Sequence, residues 1–186
     1  MLIETERLIL RRWREEDIEP LSIINSDPLV MEWLGSGPIG REGTALYIKR
    51  NDSFFDTHGF GIWAVELRAD RRLIGFSGVR PFSTLGHPMS PCVEAAWRQA
   101  QEDCGCGYAT EAARAAIADA FERCDVSEVL AWTPVLNIRS QAMMRRLKMC
   151  RRTERDFDAP SLPADHPLRP HVVFDLRRSS ARKSRH

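Results

Sequence analysis

The chain has 186 residues, of which 43% are hydrophobic and 28% charged, a composition typical of one soluble globular domain. No apolar run reaches the ~18 residues that a membrane helix needs, and the N-terminal segment lacks the pattern of an export signal, so we expect a cytoplasmic protein. The formal net charge is +1, but five of the 27 basic residues lie within 177–186, which leaves 22 basic against 26 acidic residues elsewhere. This acidic surplus argues against nucleic-acid binding.

The length predicts one domain over residues 1–176, followed by a basic tail, 177–186, that we expect to be disordered. The cysteines are odd in number and their spacing does not match a zinc site. We therefore expect free thiols and no metal. The five cysteines are Cys92, Cys104, Cys106, Cys124 and Cys150.

The first half of the chain predicts a strand, a helical region and a β-hairpin. Apolar alternation, β-forming residues and the helix-breaking Asp27-Pro28 pair set the boundaries. The predicted elements are a strand over 5–13, a helix over 15–24, a helical turn over 30–34, a helix over 40–55, and strands over 61–67 and 73–79.

The second half alternates strands with helices. An alanine-rich segment gives the strongest helix, and Asn137 is a plausible N-cap of the next one. The predicted elements are a strand over 92–100, a helix over 108–123, a strand over 128–133, a helix over 137–147, a proline-containing loop over 155–170, and a strand over 171–176. This order predicts an α/β protein with a mixed sheet and helices on both faces.

The segment from Gln101 to Glu111 joins a predicted strand to the strongest predicted helix. Gly105 and Gly107 bracket a tight turn at the helix start, where free backbone N–H groups would cradle a phosphate. A dinucleotide fingerprint would need a third glycine at Thr110, and no Gly-Lys-Ser/Thr motif is present. The pattern therefore disfavours the usual NAD and ATP sites.

Several motifs in order along the chain carry a more specific resemblance. The opening Glu4-Thr-Glu-Arg-Leu-Ile-Leu-Arg is followed by Val93-Glu94, by Gly105-x-Gly107-Tyr-Ala-Thr-Glu-Ala, and by Asn137-x-x-Ser140. The chain resembles the GNAT superfamily of N-acetyltransferases, and within it the ribosomal-protein N-acetyltransferase branch, over roughly residues 2–176. The resemblance implies a mostly antiparallel sheet of about seven strands with one splayed parallel pair. It also implies acetyl-CoA (coenzyme A) as donor and direct transfer to a primary amine on a protein N-terminus or a small molecule.

The resemblance also implies which residues meet the cofactor. The strand before the glycine turn would offer its backbone to the pantetheine arm, the turn would hold the pyrophosphate, and the next helix would begin beside the thioester. Carried onto this chain, the cofactor-binding residues are Arg98, Gln99, Ala100, Cys104, Gly105, Cys106, Gly107, Tyr108, Ala109, Thr110, Asn137, Arg139, Ser140 and Arg145.

Catalytic roles follow from the chemistry that an amine and a thioester need. Glu94 is the first candidate for the base, with Glu154, Asp156 and Asp158 as weaker ones, although each could be a structural or solvated carboxylate. Ser140 would assist the leaving thiolate, or it could bond its own helix backbone. Asn137 would cap the helix and also orient pantetheine.

The acceptor side is less determined. Trp33, Phe54 and Phe55 lie in the region that covers the acceptor pocket in this family, although packing could equally explain them. The acidic surplus mildly favours a cationic acceptor, and the proline-containing loop could border the acceptor or a homodimer contact. No membrane or nucleic-acid partner is expected.

The chain departs from the family pattern at three positions. Cys104 replaces an aromatic residue, Gln101 a proline, and Lys148 a glycine. The loss of a left-handed glycine cap should cost about 1 kcal/mol or less. A non-catalytic acyl-CoA-binding module on the same fold is the alternative function.

Overall fold

The computed structural model describes residues 1–178 and contains one nine-stranded mixed sheet. The strands run in the order β1-β2-β3-β4-β5-β6-β9-β7, and β8 pairs with β9. The parallel pair is β5 with β6, and the other pairs are antiparallel. The strands are β1 (Leu2–Glu4), β2 (Leu8–Arg11), β3 (Ile62–Leu67), β4 (Leu73–Phe82), β5 (Cys92–Gln99), β6 (Glu128–Pro134), β7 (Cys150–Arg151), β8 (Phe157–Asp158) and β9 (Pro170–Arg177).

Helices cover both faces of this sheet, as the sequence predicts. The helices are α1 (Ile18–Ser26), α2 (Pro28–Met31), α3 (Arg41–His58), α4 (Tyr108–Arg123) and α5 (Ile138–Arg146). On one face, Ala113 of α4 and Met144 of α5 pack with Val129 of β6. On the other face, Leu21 of α1 packs with Ile62 of β3. We call the α4/α5 side the first face and the α1/α3 side the second face. Within residues 1–178, no helix is long and apolar enough to cross a bilayer.

The predicted first strand, 5–13, is wrong in detail because a turn occupies its first three residues, so that it begins only at Leu8, and a separate strand, Leu2–Glu4, precedes the turn. The Thr5 hydroxyl accepts a hydrogen bond from the Leu8 N–H at 3.0 Å, which closes the turn between β1 and β2.

Two other local predictions can be compared with the structure. Lys148 adopts φ 63°, the left-handed conformation that a glycine would favour. Arg177 ends β9, so the predicted tail begins later than expected, and residues 179–186 of that tail lie outside the described part of the chain.

A buried arginine ties the first strands to the start of α1. The Arg11 guanidinium donates two hydrogen bonds of 2.6 Å to Asp17 and one of 2.6 Å to Glu66, and all three residues are buried. Fork-to-carboxylate geometry of this kind supplies both charge and direction. The ion cluster therefore fixes how β2, β3 and α1 meet.

β5 and β6 separate soon after they start. Their register contains the single pair Glu94 and Leu130, whereas β5 stays paired with β4 along its full length. The sheet consequently opens between β5 and β6 toward the start of α4.

Candidate active site

The start of α4 forms an anion-binding turn. Gly105 and Gly107 adopt φ 89° and 84°, and Gly107 is the N-cap of the helix without any side-chain cap. The first intrahelical bond runs from the Glu111 N–H to the Gly107 carbonyl at 3.1 Å. The preceding N–H groups, those of Tyr108, Ala109 and Thr110, therefore have no intrahelical acceptor and point toward the end of the helix. Together with the helix dipole they favour a negatively charged ligand.

Arg7 braces this turn from the other end of the chain. Its guanidinium donates to the Cys106 carbonyl at 2.9 Å, contacts the Glu111 carboxylate at 2.6 Å and lies 4.7 Å over the Tyr108 ring. The Thr5 hydroxyl also donates to Glu111, at 2.6 Å. Partial burial raises the pKa of Glu111, but these hydrogen bonds outweigh it and hold the pKa below its ordinary value. Glu111 thus stays ionised, and Arg7 offsets a charge that would otherwise repel phosphate.

The two loop cysteines are exposed free thiols. Burial raises the pKa of Cys104, and its thiol contacts the Ala100 carbonyl at 3.5 Å, so it is not the activated thiolate that a helix start can produce. Arg139, exposed in the first turn of α5, lies close enough to Cys104 to lower that pKa slightly. The structure therefore brings Arg139 to the loop.

The backbone of β5 beside the gap alternates between two directions. The Ala100 N–H donates to the Ile74 carbonyl of β4 at 2.9 Å. Because successive residues of an antiparallel pair alternate, the backbone groups of Ala100 and Arg98 face β4, while those of Gln99 and Trp97 face the gap. Of the three residues expected along the pantetheine arm, only Gln99 offers its backbone there, and Trp97 joins it.

The start of α5 lies at the end of β6. The Asn137 carboxamide accepts from the Ser140 N–H at 3.1 Å and donates to Thr133 at 3.0 Å, so Asn137 is the N-cap. Both ends of its amide group are occupied by the protein. Ser140 is half-buried, and within residues 1–178 no hydrogen bond of its hydroxyl is found. That hydroxyl is thus available to a ligand.

Polar side chains gather on the second face of β4 and β5. Glu94 forms an ion pair with Arg80 at 2.8 Å, and its side chain is only 12% exposed. Burial lowers the pKa of Arg80, but the Glu94 carboxylate raises it by more. Tyr47 of α3 lies close to this pair, and burial raises its pKa to about 12, so the phenol remains protonated.

An aromatic cluster lies beside Glu94 on the same face. Trp132 contacts Phe82 at 5.0 Å and His87 at 5.5 Å, and Phe157 contacts His87 at 4.9 Å and stacks on His171 at 5.2 Å. Burial lowers the pKa of both histidines. His87 Nδ1 accepts from the Met89 N–H, whereas His171 Nδ1 faces the Arg169 carbonyl and must carry its proton there. The cluster is therefore neutral and apolar near pH 7.

A cavity of about 570 Å³ opens next to this cluster, between the starts of β5 and β6. Phe157 and Leu130 line it, together with Glu154 and Asp156. Asp156 also accepts from the Val173 N–H at 3.1 Å and pairs with Arg151, so its carboxylate is structural. Within residues 1–178, no group of three or more His, Cys, Asp or Glu side chains is placed to hold a metal ion.

Three expected site residues lie elsewhere. Arg145 sits 5.7 Å over the Phe174 ring of β9, and β6 separates β9 from the gap. Phe55 is a core residue against Trp63, with ring centroids 4.4 Å apart. Phe54 contacts His58 near the end of α3, with ring centroids 6.0 Å apart and the rings tilted by 59°. Each had been assigned by its place in the chain, and each is held by packing instead.

Trp33 is half-buried in the turn after α2. It lies close in sequence to Gly35, whose position is packed against Leu162 of the proline-containing loop. A role for Trp33 in binding the acceptor stays a prediction.

The residues that sequence reasoning missed are Tyr47, Arg80 and the aromatic cluster. Arg80 offered a signal, because a charged residue interrupts the apolar second-face positions of β4. Tyr47 offered none beyond its place on α3. His87 and His171 meet through Phe157, which each of them contacts, and the loops that bring these three residues together are far apart in the sequence.

Comparisons with known proteins agree with this architecture. The family model described as an acetyltransferase (GNAT) domain matches residues 7–150. The chain is 29% identical over 147 residues to the FsC-acetyl coenzyme A-N(2)-transacetylase of Aspergillus fumigatus. That match covers 76% of this chain and 62% of the fungal protein, so the chain spans less than two thirds of that relative.

Solved structures share the fold. A GNAT-family acetyltransferase from Bacillus anthracis superposes with a TM-score of 0.77 at 21% identity, covering 95% of this chain and 98% of that one. A ribosomal alpha-N-protein acetyltransferase in complex with coenzyme A gives a TM-score of 0.76 at 14% identity, covering 95% and 98%. With the family model matching residues 7–150 on this fold, the chain belongs to the GNAT acetyltransferase family.

Proposed function

We propose that the protein transfers the acetyl group of acetyl-CoA to a primary amine by direct transfer in a ternary complex. The observation that carries this proposal is the opening between β5 and β6 directly beside the uncapped start of α4. An extended thioester arm fits such an opening, and the helix start suits the phosphates that it carries. The amine belongs to a protein N-terminus or to a small molecule.

The loop residues fit the cofactor's pyrophosphate. Residues 104–110 would hold it through backbone N–H groups, since Gly105 and Gly107 add no side chain to the turn. The backbone of Trp97 and Gln99 would pair with the pantetheine arm, and Arg139 would meet the phosphate end. Bound there, acetyl-CoA supplies the activated acyl group.

Glu94 and Ser140 would handle the protons of the transfer. Glu94 accepts a proton from the ammonium form of the acceptor, directly or through water, which frees the nitrogen lone pair to attack the thioester carbonyl. As the C–S bond breaks, the Ser140 hydroxyl would donate a proton to the sulfur. A water molecule that takes the second proton from the attacking nitrogen would return a proton to Ser140. Asn137 acts by fixing the helix turn that presents Ser140.

The direct test is release of free coenzyme A when purified protein, acetyl-CoA and a panel of primary amines are mixed. Turnover on at least one amine, with the acetylated amine identified by mass spectrometry, is the expected result. Tight acetyl-CoA binding without turnover on any amine or peptide N-terminus would instead favour a non-catalytic acyl-CoA-binding module.

The loop assignment predicts the behaviour of Gly107→Ala. An alanine there would hold a left-handed conformation, which costs about 1–2 kcal/mol for an L-residue, and its methyl group would lie 3.5 Å from the Arg7 guanidinium that braces the turn. Calorimetry should show acetyl-CoA affinity reduced by about tenfold or more. Gly59→Ala is the matched control, because Gly59 has a similar φ of 77° at the far end of α3. If the two variants bound acetyl-CoA with equal affinity, the assignment of the pyrophosphate to this turn would be rejected.

A further inference from the structure

Arg98 is a partly buried cation without a counter-ion. Its side chain lies on the second face of β5, where the guanidinium carbon sits 5.1 Å from the centre of the Phe76 ring. Among residues 1–178, its one hydrogen bond goes to the side-chain oxygen of Asn25, which is neutral. Within residues 1–178, no carboxylate lies within ion-pairing distance of Arg98.

The neighbouring side chains do not supply a negative charge for Arg98. Glu94 is already paired with Arg80, so this part of the face holds two guanidinium groups and one carboxylate. Tyr47, the other ionisable neighbour, is protonated and neutral at pH 7. Burial lowers the pKa of Arg98, and Arg80 lowers it further, as expected for a cation whose surroundings lack an anion.

The protein nevertheless holds this guanidinium in place. Asn25 is completely buried, and its amide N–H donates to Thr44 of α3 at 2.9 Å. The chain of contacts from Thr44 through Asn25 to Arg98 therefore fixes one edge of the fork from α1 and α3. An arginine carries five N–H donors, and only one is used by the protein here. A buried charge is costly unless it is paired, so a guanidinium kept ready in this way suits an anionic partner.

We propose that Arg98, with the Tyr47 hydroxyl beside it, binds a carboxylate of the acetyl acceptor, so that the acceptor is an amine of the amino-acid type. This inference rests on the proposed acetyl transfer. Glu94 and Arg98 share one face of β5 at about 3.3 Å per residue, with only the small Ala96 between them on that face. Because four residues separate the two Cα atoms by about 13 Å, one acceptor can hold its carboxylate at the long Arg98 side chain while its amine reaches Glu94 through water. The overall acidic surplus, which favours a cationic acceptor, does not describe this local site.

The test compares amino acids with their carboxamides as acceptors. Each pair differs only in whether the group opposite Arg98 carries a charge. For wild type, the acid member of the best pair should react with the higher kcat/KM. Arg98→Gln should lower kcat/KM for the acid member by roughly 10- to 100-fold, the range for a hydrogen bond to a charged group, and change the carboxamide member about twofold or less. Arg98→Lys, which keeps the charge and loses the fork, should fall between them.

Two controls separate loss of the carboxylate contact from a general effect of surface charge, from weaker acetyl-CoA binding and from misfolding. Arg41→Gln removes a surface arginine paired with Glu19 and should leave both members of a pair unchanged. Acetyl-CoA affinity, measured by calorimetry, should be the same in Arg98→Gln as in wild type, and thermal melting should show that the variant is folded. Equal losses on both members, a wild-type preference for the carboxamide, or a loss confined to acetyl-CoA affinity would overturn the carboxylate site.

A binding measurement keeps the inference testable if no amine turns over. Titration of N-acetylated amino acids and their carboxamides, followed by NMR with coenzyme A present, reports the site without chemistry. Carboxylate-selective binding that Arg98→Gln abolishes would support the site even if acetyl transfer failed. Absence of any carboxylate binding to wild type would reject it.

Discussion

At the scale of single residues, Ser140 separates binding from chemistry. Its hydroxyl sits in the first turn of α5, half-buried and with no hydrogen-bond partner found in residues 1–178, while its N–H is occupied by Asn137. If it protonates the departing thiolate, Ser140→Ala should lower kcat by about 100-fold, the low end of general acid catalysis, and leave acetyl-CoA affinity nearly unchanged.

Asn137→Ala is the contrasting variant at the same turn. It removes the cap and should lower the free energy of unfolding by about 1 kcal/mol, because a capping side chain contributes that much. Steady-state kinetics and thermal melting of both variants separate the two roles. A Ser140→Ala enzyme with wild-type kcat would exclude the hydroxyl from the reaction.

At the scale of secondary-structure elements, the Arg11 cluster decides how β2, β3 and α1 join. Arg11→Met would leave the buried Asp17 carboxylate without its ion-pair partner, whereas Glu66 would keep Arg71 at 3.0 Å, and an uncompensated buried charge costs about 3–5 kcal/mol of unfolding free energy. Arg12→Met is the neighbouring control. Its ion pairs with Asp52 and Asp56 are partly exposed and should each contribute about 1 kcal/mol or less. Chemical denaturation of both variants measures the difference, and similar losses would show that the buried cluster has no special weight.

At the scale of the whole molecule, His87 and His171 make folding sensitive to mild acid. Burial lowers the pKa of both in the folded state below the ordinary value of 6.5, so the unfolded chain binds protons first. The contribution of these two histidines to the free energy of unfolding should therefore be fully present above about pH 6.5 and should decline as the pH falls below that value. The double variant His87→Phe/His171→Phe, which keeps aromatic packing, should lose less melting temperature between pH 7.5 and pH 5.5 than wild type. An unchanged difference would place the acid-sensitive groups elsewhere.

Local signals in the sequence predicted the structural elements around the glycine turn well. The Gly105 and Gly107 turn, α4, and the Asn137 cap depend on contacts within a few residues, and all three form where they were predicted. The bend at Thr5 was missed, because an Oγ–backbone contact across three residues looks like a continuous strand in the sequence.

The acceptor side could not be predicted in the same way. Arg98 and Asn25 are 73 residues apart and meet only because α1 packs over the second face of the sheet. Phe55 looked like a pocket residue, but the neighbouring Trp63 makes its side of α3 a core surface. Arg145 occupies a plausible place in the sequence, yet the turn of α5 directs it toward Phe174. These outcomes depend on which faces meet, and patterns within a short stretch of the sequence do not reveal that.

The brace that Arg7 provides has a consequence for the order of folding. Its contacts with Glu111 and Cys106 join parts of the chain 104 and 99 residues apart, and contacts of such long range form slowly because the intervening chain must first be ordered. The phosphate turn would then be among the last parts of the protein to mature. In a refolding experiment, acetyl-CoA binding should appear after the main burst of secondary structure, so that the cofactor reports completion of the fold rather than its beginning.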